Sequence, residues 1–256
     1  KTHGNLFYGS GLELGAGVGF LSSVISQKKE IEKIYCLEVV ENYVKLLQPR
    51  VIQSFGNKNK IISTLGNFEN LNYFKDNSFD FIIQYDAFHH ANNLKKVLDE
   101  CYRVLKPNCK IISIDRIQSD RISDAMINRK LNIVYDKKYF EFHKIDFMPN
   151  FTRRDNGEHE IRRSEWKKYF SNSQFRNITI TNYANYSLKS FLKLIISYFP
   201  DFILKNTRFK YLVGEKFLDY FFGIFRSPSP KNRGKFVKQK NNIKFHKDLA
   251  VLVSEK

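Results

Sequence analysis

The chain has 256 residues, 42 % of them hydrophobic, which supplies one substantial core with room for an inserted segment and excludes a wholly disordered chain. No apolar run reaches the roughly 20 residues of a membrane-spanning helix, and no signal-peptide pattern is read at the start. Lys and Arg total 43 against 26 Asp and Glu, a formal charge of +17 that is spread unevenly: +2 over 1–115, +5 over 116–186 and +10 over 187–256.

A basic excess of this size suits acidic partners such as nucleic acid, anionic lipid or a phosphorylated carrier. It equally suits a solvated Lys- and Asn-rich surface with no partner. Cys36, Cys101 and Cys109 show no C-x-x-C spacing and fall in apolar runs, as buried thiols do in a reducing compartment. A cytoplasmic location is the expectation. The chain opens on Lys1, without Met, only a few residues before the first strand, which points to residues upstream.

Residues 5–14 contain the first strand. It runs into Leu12 to Phe20, L-E-L-G-A-G-V-G-F, with glycines at 15, 17 and 19, and a helical pattern over 18–27 follows. Strand, glycine turn and helix together bring backbone close to a nucleotide-like ligand. The dinucleotide spacing is G-x-G-x-x-G, whereas here the third glycine comes one residue early and Glu13 lies two before the first. An acid there is poorly placed for a pyrophosphate and well placed for an ammonium group.

Lys33 to Val40 reads as the second strand, ending near Glu38. An acid at that place accepts hydrogen bonds from ribose hydroxyls in dinucleotide folds. It could also serve as an ordinary acid before the helix expected over 41–54. Lys60 to Leu65 is the third strand. Asn67 offers a donor and an acceptor to a base edge, and Phe68 an apolar face. Phe79 to Tyr85 is a fourth strand, apolar enough for burial on both faces. A helix over 93–105 follows, then a Pro turn in R-V-L-K-P-N, 103–108, then a strand over 110–115.

The E-x-G-x-G-x-G turn, the stretch N-Y-F-K-D-N-S-F-D-F-I-I-Q-Y-D-A-F-H-H at 72–90 and R-V-L-K-P-N resemble, in order and spacing, the class I S-adenosylmethionine-dependent methyltransferases. The likeness is to their ubiquinone-biosynthesis-like, type 11 branch and covers residues 10–115. It implies an α/β fold: a Rossmann-like, doubly wound sheet, mostly parallel with an antiparallel last strand. It implies S-adenosyl-L-methionine as cofactor, S-adenosyl-L-homocysteine as product, and no metal. Cofactor contacts then fall on Glu13, Gly15, Ala16, Gly17, Gly19, Glu38, Val39, Asn67, Phe68, Gln84 and Tyr85. Asn67 departs from the family's usual Asp.

Methyl transfer from a sulfonium disperses charge, so catalysis rests mainly on alignment. Asp86 and His89 follow the fourth strand, where the methyl should point, and are the candidate catalytic residues. His89 aligns with a His of the family and could act as base or pack on the cofactor. His90 could cap the next helix. A metal site on the adjacent histidines lacks further ligands nearby.

Residues 116–163 read as a polar, aromatic-studded insertion on the substrate side, with no clear period. Ser164 to Phe170 reads as a helix capped by Ser164. Residues 176–183 alternate as a strand and 246–253 contain the last one. The core domain is then 1–186 with 245–256. Residues 187–244 form an inserted helical, basic cap with two apolar stretches and a basic tail, suited to packing on the sheet or to a membrane surface.

The expected partner is a small-molecule acceptor, with contact to an anionic membrane or a phosphorylated substrate through 187–244. Two alternatives come from other classes. One is a nucleic-acid methyltransferase, prompted by the charge. Gln84-Tyr85-Asp86-Ala87 lacks the prolines of the base-methylating tetrapeptide, and no RNA-binding module is recognisable. The other is a non-catalytic module that only holds the cofactor.

Overall fold

The computed structural model describes residues 6–143, 145–182 and 249–256. The expected cap at 187–244 lies outside the described residues. The described chain falls into two units. One comprises residues up to 122, 160–182 and 249–256, and the other residues 123–159.

The first unit is built on one seven-stranded sheet. Its strands are β1 (Gly9–Leu14), β2 (Ile31–Glu38), β3 (Ile61–Leu65), β4 (Phe79–Tyr85), β5 (Leu105–Arg116), β6 (Arg176–Asn182) and β7 (Leu249–Glu255). Their order is β3-β2-β1-β4-β5-β7-β6. The first five pair in parallel, and β7 lies antiparallel between β5 and β6. The order reverses between β2-β1 and β4, so the chain ends of β1 and β4 sit side by side at the switch point.

Helices α1 (Phe20–Ser26), α2 (Gln48–Phe55) and α3 (Leu94–Val104) connect these strands, and a π-helical turn at Tyr43–Leu47 precedes α2. Within the second unit lie α4 (Asp124–Leu131) and α5 (Lys137–His143). Helix α6 (Arg163–Asn172) returns the chain to the sheet.

Both sheet faces are covered, as the apolar strands require. Leu12, Leu14, Ile82, Ile111 and Leu252 pack with α3 and with Trp166 and Phe170 of α6. On the other face Ile31, Ile34, Phe81, Ile83, Ile112 and Val253 pack with Ile25 of α1. The three cysteines are free and buried, as their apolar neighbours imply. Arg103 fastens α3 to the loop before β4. Its guanidinium donates to the Leu71 and Phe74 carbonyls at 3.0 and 2.9 Å and pairs with Glu100 and Asp76 at 2.8 and 2.7 Å.

Two local expectations are corrected. The Pro turn at 103–108 is not a break before β5. The strand runs from Leu105, which pairs with Phe79, through a register shift into the pairing of Lys110 with Phe81. Asn108 takes φ 61° inside it. Pro107 has no N–H to give the ladder, so the irregularity falls there. Nor does Ser164 cap α6. The helix begins at Arg163, Glu165 accepts the Arg162 N–H at 2.7 Å, and the Ser164 N–H is taken by Asp120 at 2.7 Å. A carboxylate from the loop after β5 does the work expected of the serine.

The second unit has its own small aromatic centre of Tyr135, Tyr139 and Phe140 with Phe151 against it. The Tyr135 and Tyr139 rings stack at 3.9 Å. Glu158 accepts from the Arg153 guanidinium at 2.6 Å and from the Tyr135 hydroxyl. Residues 145–150 are all exposed, Ile145, Phe147 and Met148 among them.

Candidate active site

The glycine turn leaves β1 with φ of 63° at Gly15, 53° at Gly17 and 77° at Gly19. Ala16 is buried, and its N–H is tied to the Leu37 carbonyl of β2 at 2.9 Å. Two of these glycines answer specific demands. A Cβ on Gly15 would lie 2.6 Å from the Cβ of Ala87, so the loop after β4 rests directly on the turn. A Cβ on Gly17 would meet nothing within 4 Å, and the backbone there opens onto free space. Both also need the left-handed region, where a side chain is strained.

Two strand-terminal acids brace the turn. Glu13 is buried, and its Oε2 accepts the Ser22 N–H at 2.8 Å and the Ser22 hydroxyl. It thereby satisfies an N–H of the first turn of α1, whose cap position, Gly19, has no side chain to do so. Burial pushes its carboxyl up to about 7 against the pull of those hydrogen bonds. The structure thus places Glu13 beneath the turn, with Ser22 as its neighbour, rather than on the open side where an ammonium would sit.

Glu38 reaches across from the end of β2. Its Oε2 accepts the Gly17 N–H at 2.7 Å, and its Oε1 accepts the Val39 and Val40 N–H groups at 2.9 Å each. A carboxylate has about four lone-pair directions, so these three donors leave room for roughly one more.

Around this opening stand the other expected contacts. Val39 is 59 % exposed. Asn67 is exposed, and its Oδ1 accepts the Glu69 N–H at 2.8 Å, shaping a local turn and leaving its amide NH2 outward. Phe68 is half-buried, its ring edge-on to Phe88 at 6.0 Å. Tyr85 ends β4, and burial above all raises its hydroxyl well above the ordinary range. Gly17, Glu38, Val39, Asn67, Phe68 and Tyr85 thus lie at or just beyond the carboxyl ends of the neighbouring strands β1, β2, β3 and β4, and Glu38 is bonded to Gly17 and Val39.

Gln84 does not join them. Its side chain is fully buried, its amide nitrogen donating to the Ser113 hydroxyl and to Asp115 at 3.1 Å, its oxygen accepting the Ala87 N–H at 3.0 Å. It supports the loop from behind.

His89 is corrected more sharply. It has no exposed surface. Its Nδ1 lies 2.8 Å from Asp115 Oδ1, and its Nε2 faces the Arg116 guanidinium. Both ring nitrogens are engaged inside the protein, and the ring links the loop after β4 to the end of β5. Residues Asp115 and Arg116 were not singled out from the sequence. Asp115 is the hub: one oxygen accepts His89 and the Arg116 N–H at 2.7 Å, the other the Phe88 N–H at 3.0 Å and Gln84. An acid two residues after a serine in an otherwise apolar strand, I-I-S-I-D-R, was the available signal. Trp166 steadies the end of β5 by donating to the Arg116 carbonyl at 3.1 Å.

Asp86 takes φ 52° at the end of β4 and accepts from Arg116 Nε at 2.9 Å. Burial acts to raise its carboxyl, but His89 and Arg116 outweigh that and hold it below the ordinary range. Asp86, His89 and Asp115 could each offer a metal one atom, within 4.8 Å of one another. The Arg116 guanidinium already occupies that group, so its negative charge is matched from within.

The family described as "Methyltransferase domain" matches residues 12–113. The glycine/sarcosine/dimethylglycine N-methyltransferase of Actinopolyspora halophila is 32 % identical over 111 residues, 43 % of this chain and 19 % of that protein. The demethylmenaquinone methyltransferase of Leptospira interrogans is 25 % identical over 104 residues, 41 % of each. The chain thus spans a fifth to two fifths of these curated relatives' lengths. Among solved structures, phosphoethanolamine N-methyltransferase 2 of Haemonchus contortus in complex with S-adenosyl-L-methionine superposes with a TM-score of 0.59. It is 14 % identical, with all of this chain and 50 % of that one covered, a likeness of fold. Residues 12–113, which carry the glycine turn, the parallel strands and the strand-end acids described above, are thus similar to a methyltransferase domain.

Proposed function

We propose that this chain transfers a methyl group from S-adenosylmethionine to an oxygen or nitrogen of a small molecule, a class that includes lipid-linked and sugar-linked acceptors. The observation that carries the reading is the Gly17 opening. A strand-end carboxylate, Glu38, is bound to the turn at 2.7 Å, and free space stands where a Cβ would be. The residues present fit the cofactor: Glu38 keeps a lone-pair direction for a ribose hydroxyl, Val39 and Phe68 offer apolar faces to an adenine, and Asn67 an amide to its edge. The names of the three relatives given above, which speak of glycine and sarcosine, of demethylmenaquinone and of phosphoethanolamine, support the acceptor class.

S-adenosylmethionine supplies an electrophilic methyl on a sulfonium. The chain's own part is alignment. The glycine turn and Glu38 hold one end of the ligand, and the loop at 86–90 faces the acceptor. Asp86, kept ionised by Arg116 and His89, is the polar group placed to bind and orient the acceptor's donor hydrogen. Asp86→Asn is expected to lower kcat about tenfold or more while leaving the affinity for S-adenosylhomocysteine within twofold. Loss of both together would move Asp86 to the cofactor side.

Incubation of the chain with methyl-labelled S-adenosylmethionine and small-molecule, lipid and RNA fractions tests the class. Label in the small-molecule or lipid fraction is expected. Label confined to RNA would favour the nucleic-acid alternative, and no label despite intact cofactor binding would favour a non-catalytic module.

A second reading, peripheral contact with an anionic membrane, is favoured by one observation. The exposed loop at 145–150 presents Ile145, Phe147 and Met148 together, in a chain whose net +10 over 187–256 would draw it to anionic lipid.

A further inference from the structure

We propose that Gln48 is a positioning residue for the cofactor turn, fixing the Gly17 carbonyl so that Gly17 is held on both sides before a ligand arrives. This rests on the reading of the turn as the cofactor site. Gln48 opens α2, has no exposed surface, and donates from Nε2 to the Gly17 carbonyl at 3.0 Å. Glu38 accepts the N–H of the same residue at 2.7 Å. The two peptide planes flanking the Gly17 Cα are therefore each tied to a side chain from a different element. Glycine has the most backbone freedom to lose, and nothing crowds this one from the open side. Its φ of 53° must be set by such ties and not by sterics.

Two further observations agree. The Oε1 atom of Gln48 is buried with no hydrogen-bond partner. An orphaned amide oxygen costs stability, and a Leu or Met there would avoid it. The amide stands at a place where its N–H half meets the turn. The chemistry also fixes which way the amide points, since only the nitrogen can face a carbonyl. In addition, a Cβ on Gly19 would lie 3.3 Å from Gln48 Cγ and 3.1 Å from Cys36 Sγ. The early third glycine thus leaves room for the side chain that holds the second.

The test is Gln48→Met, which keeps length and removes both polar atoms. The expected result separates function from stability. Tm should stay level or rise as the orphan disappears. Affinity for S-adenosylhomocysteine should fall roughly five- to tenfold, the scale of one hydrogen bond. Hydrogen exchange at the Gly17 amide should quicken in the ligand-free chain. Gln48→Glu gives an independent arm, because a carboxyl can donate only when protonated. Its deficit in affinity relative to the parent should be smaller at pH 6 than at pH 8.

A fall in Tm with affinity and exchange unchanged would overturn the proposal and leave Gln48 a packing residue. If the parent chain itself fails to bind S-adenosylhomocysteine, the cofactor reading falls instead. The exchange measurement then still decides whether Gln48 holds the turn, and unchanged exchange would overturn it there too.

Discussion

Glu13 and Glu38 end neighbouring parallel strands, yet they do different work. Both are buried, but Glu38 accepts the Gly17 N–H of the turn, whereas Glu13 accepts from Ser22 of α1. The burial of Glu13 has a pH signature. With its carboxyl raised to about 7, folded Glu13 keeps a proton that the unfolded chain releases near its ordinary value of 4.5. Stability contributed by the neutral form is present below about 4.5 and is lost as pH rises towards 7. Glu13→Gln should therefore gain on the parent as pH rises from 5 to 8, by up to about 3 kcal/mol on the linkage scale. Urea melts at both pH values check this, and a gain that does not change with pH would contradict it. His89 makes the companion case. Its imidazole identity suggested a base, but its two partners come from the end of β5, 26 and 27 residues away, and only the folded sheet reveals them. His89→Gln should lower Tm while leaving the pH profile of turnover unmoved; a lost basic limb would restore the His to the chemistry.

At the scale of elements, what could be read in advance was local. The glycine turn, the four strands up to Tyr85 and the helix at 94–104 carry their signals within a few residues, and Phe79–Tyr85 agrees end to end. The bulged start of β5 and the cap of α6 were not legible, because a ladder partner and Asp120 decide them from outside the segment. Gln48 is similar, since a Gln before a Pro announces nothing until α2 is laid against the turn. Arg103 shows the same dependence on tertiary partners and gives an element-level prediction. Its guanidinium satisfies two carbonyls of the loop before β4. Arg103→Met should cost about 2–3 kcal/mol in urea unfolding through those unsatisfied acceptors. A cost below about 0.5 kcal/mol would mean that the loop is held by its aromatic contacts alone.

Over the whole molecule, charge and chemistry are separated along the chain. The cofactor-side residues lie within 1–115, where the net charge is +2, and the basic excess lies beyond. Among the described residues no helix is long and apolar enough to cross a membrane. Phe147→Ser with Met148→Ser should reduce co-sedimentation with vesicles containing anionic lipid severalfold and leave the affinity for S-adenosylhomocysteine unchanged. Equal co-sedimentation would remove the exposed loop from that contact. The central claim, that the opening over Gly17 receives S-adenosylmethionine, is tested most directly by calorimetric titration of the parent chain and of Glu38→Ala with S-adenosylhomocysteine, using a nicotinamide dinucleotide as control. The account predicts one saturable site in the parent, weakened at least tenfold in the variant, and no binding of the dinucleotide. Equal affinity in parent and variant, or preference for the dinucleotide, would contradict it.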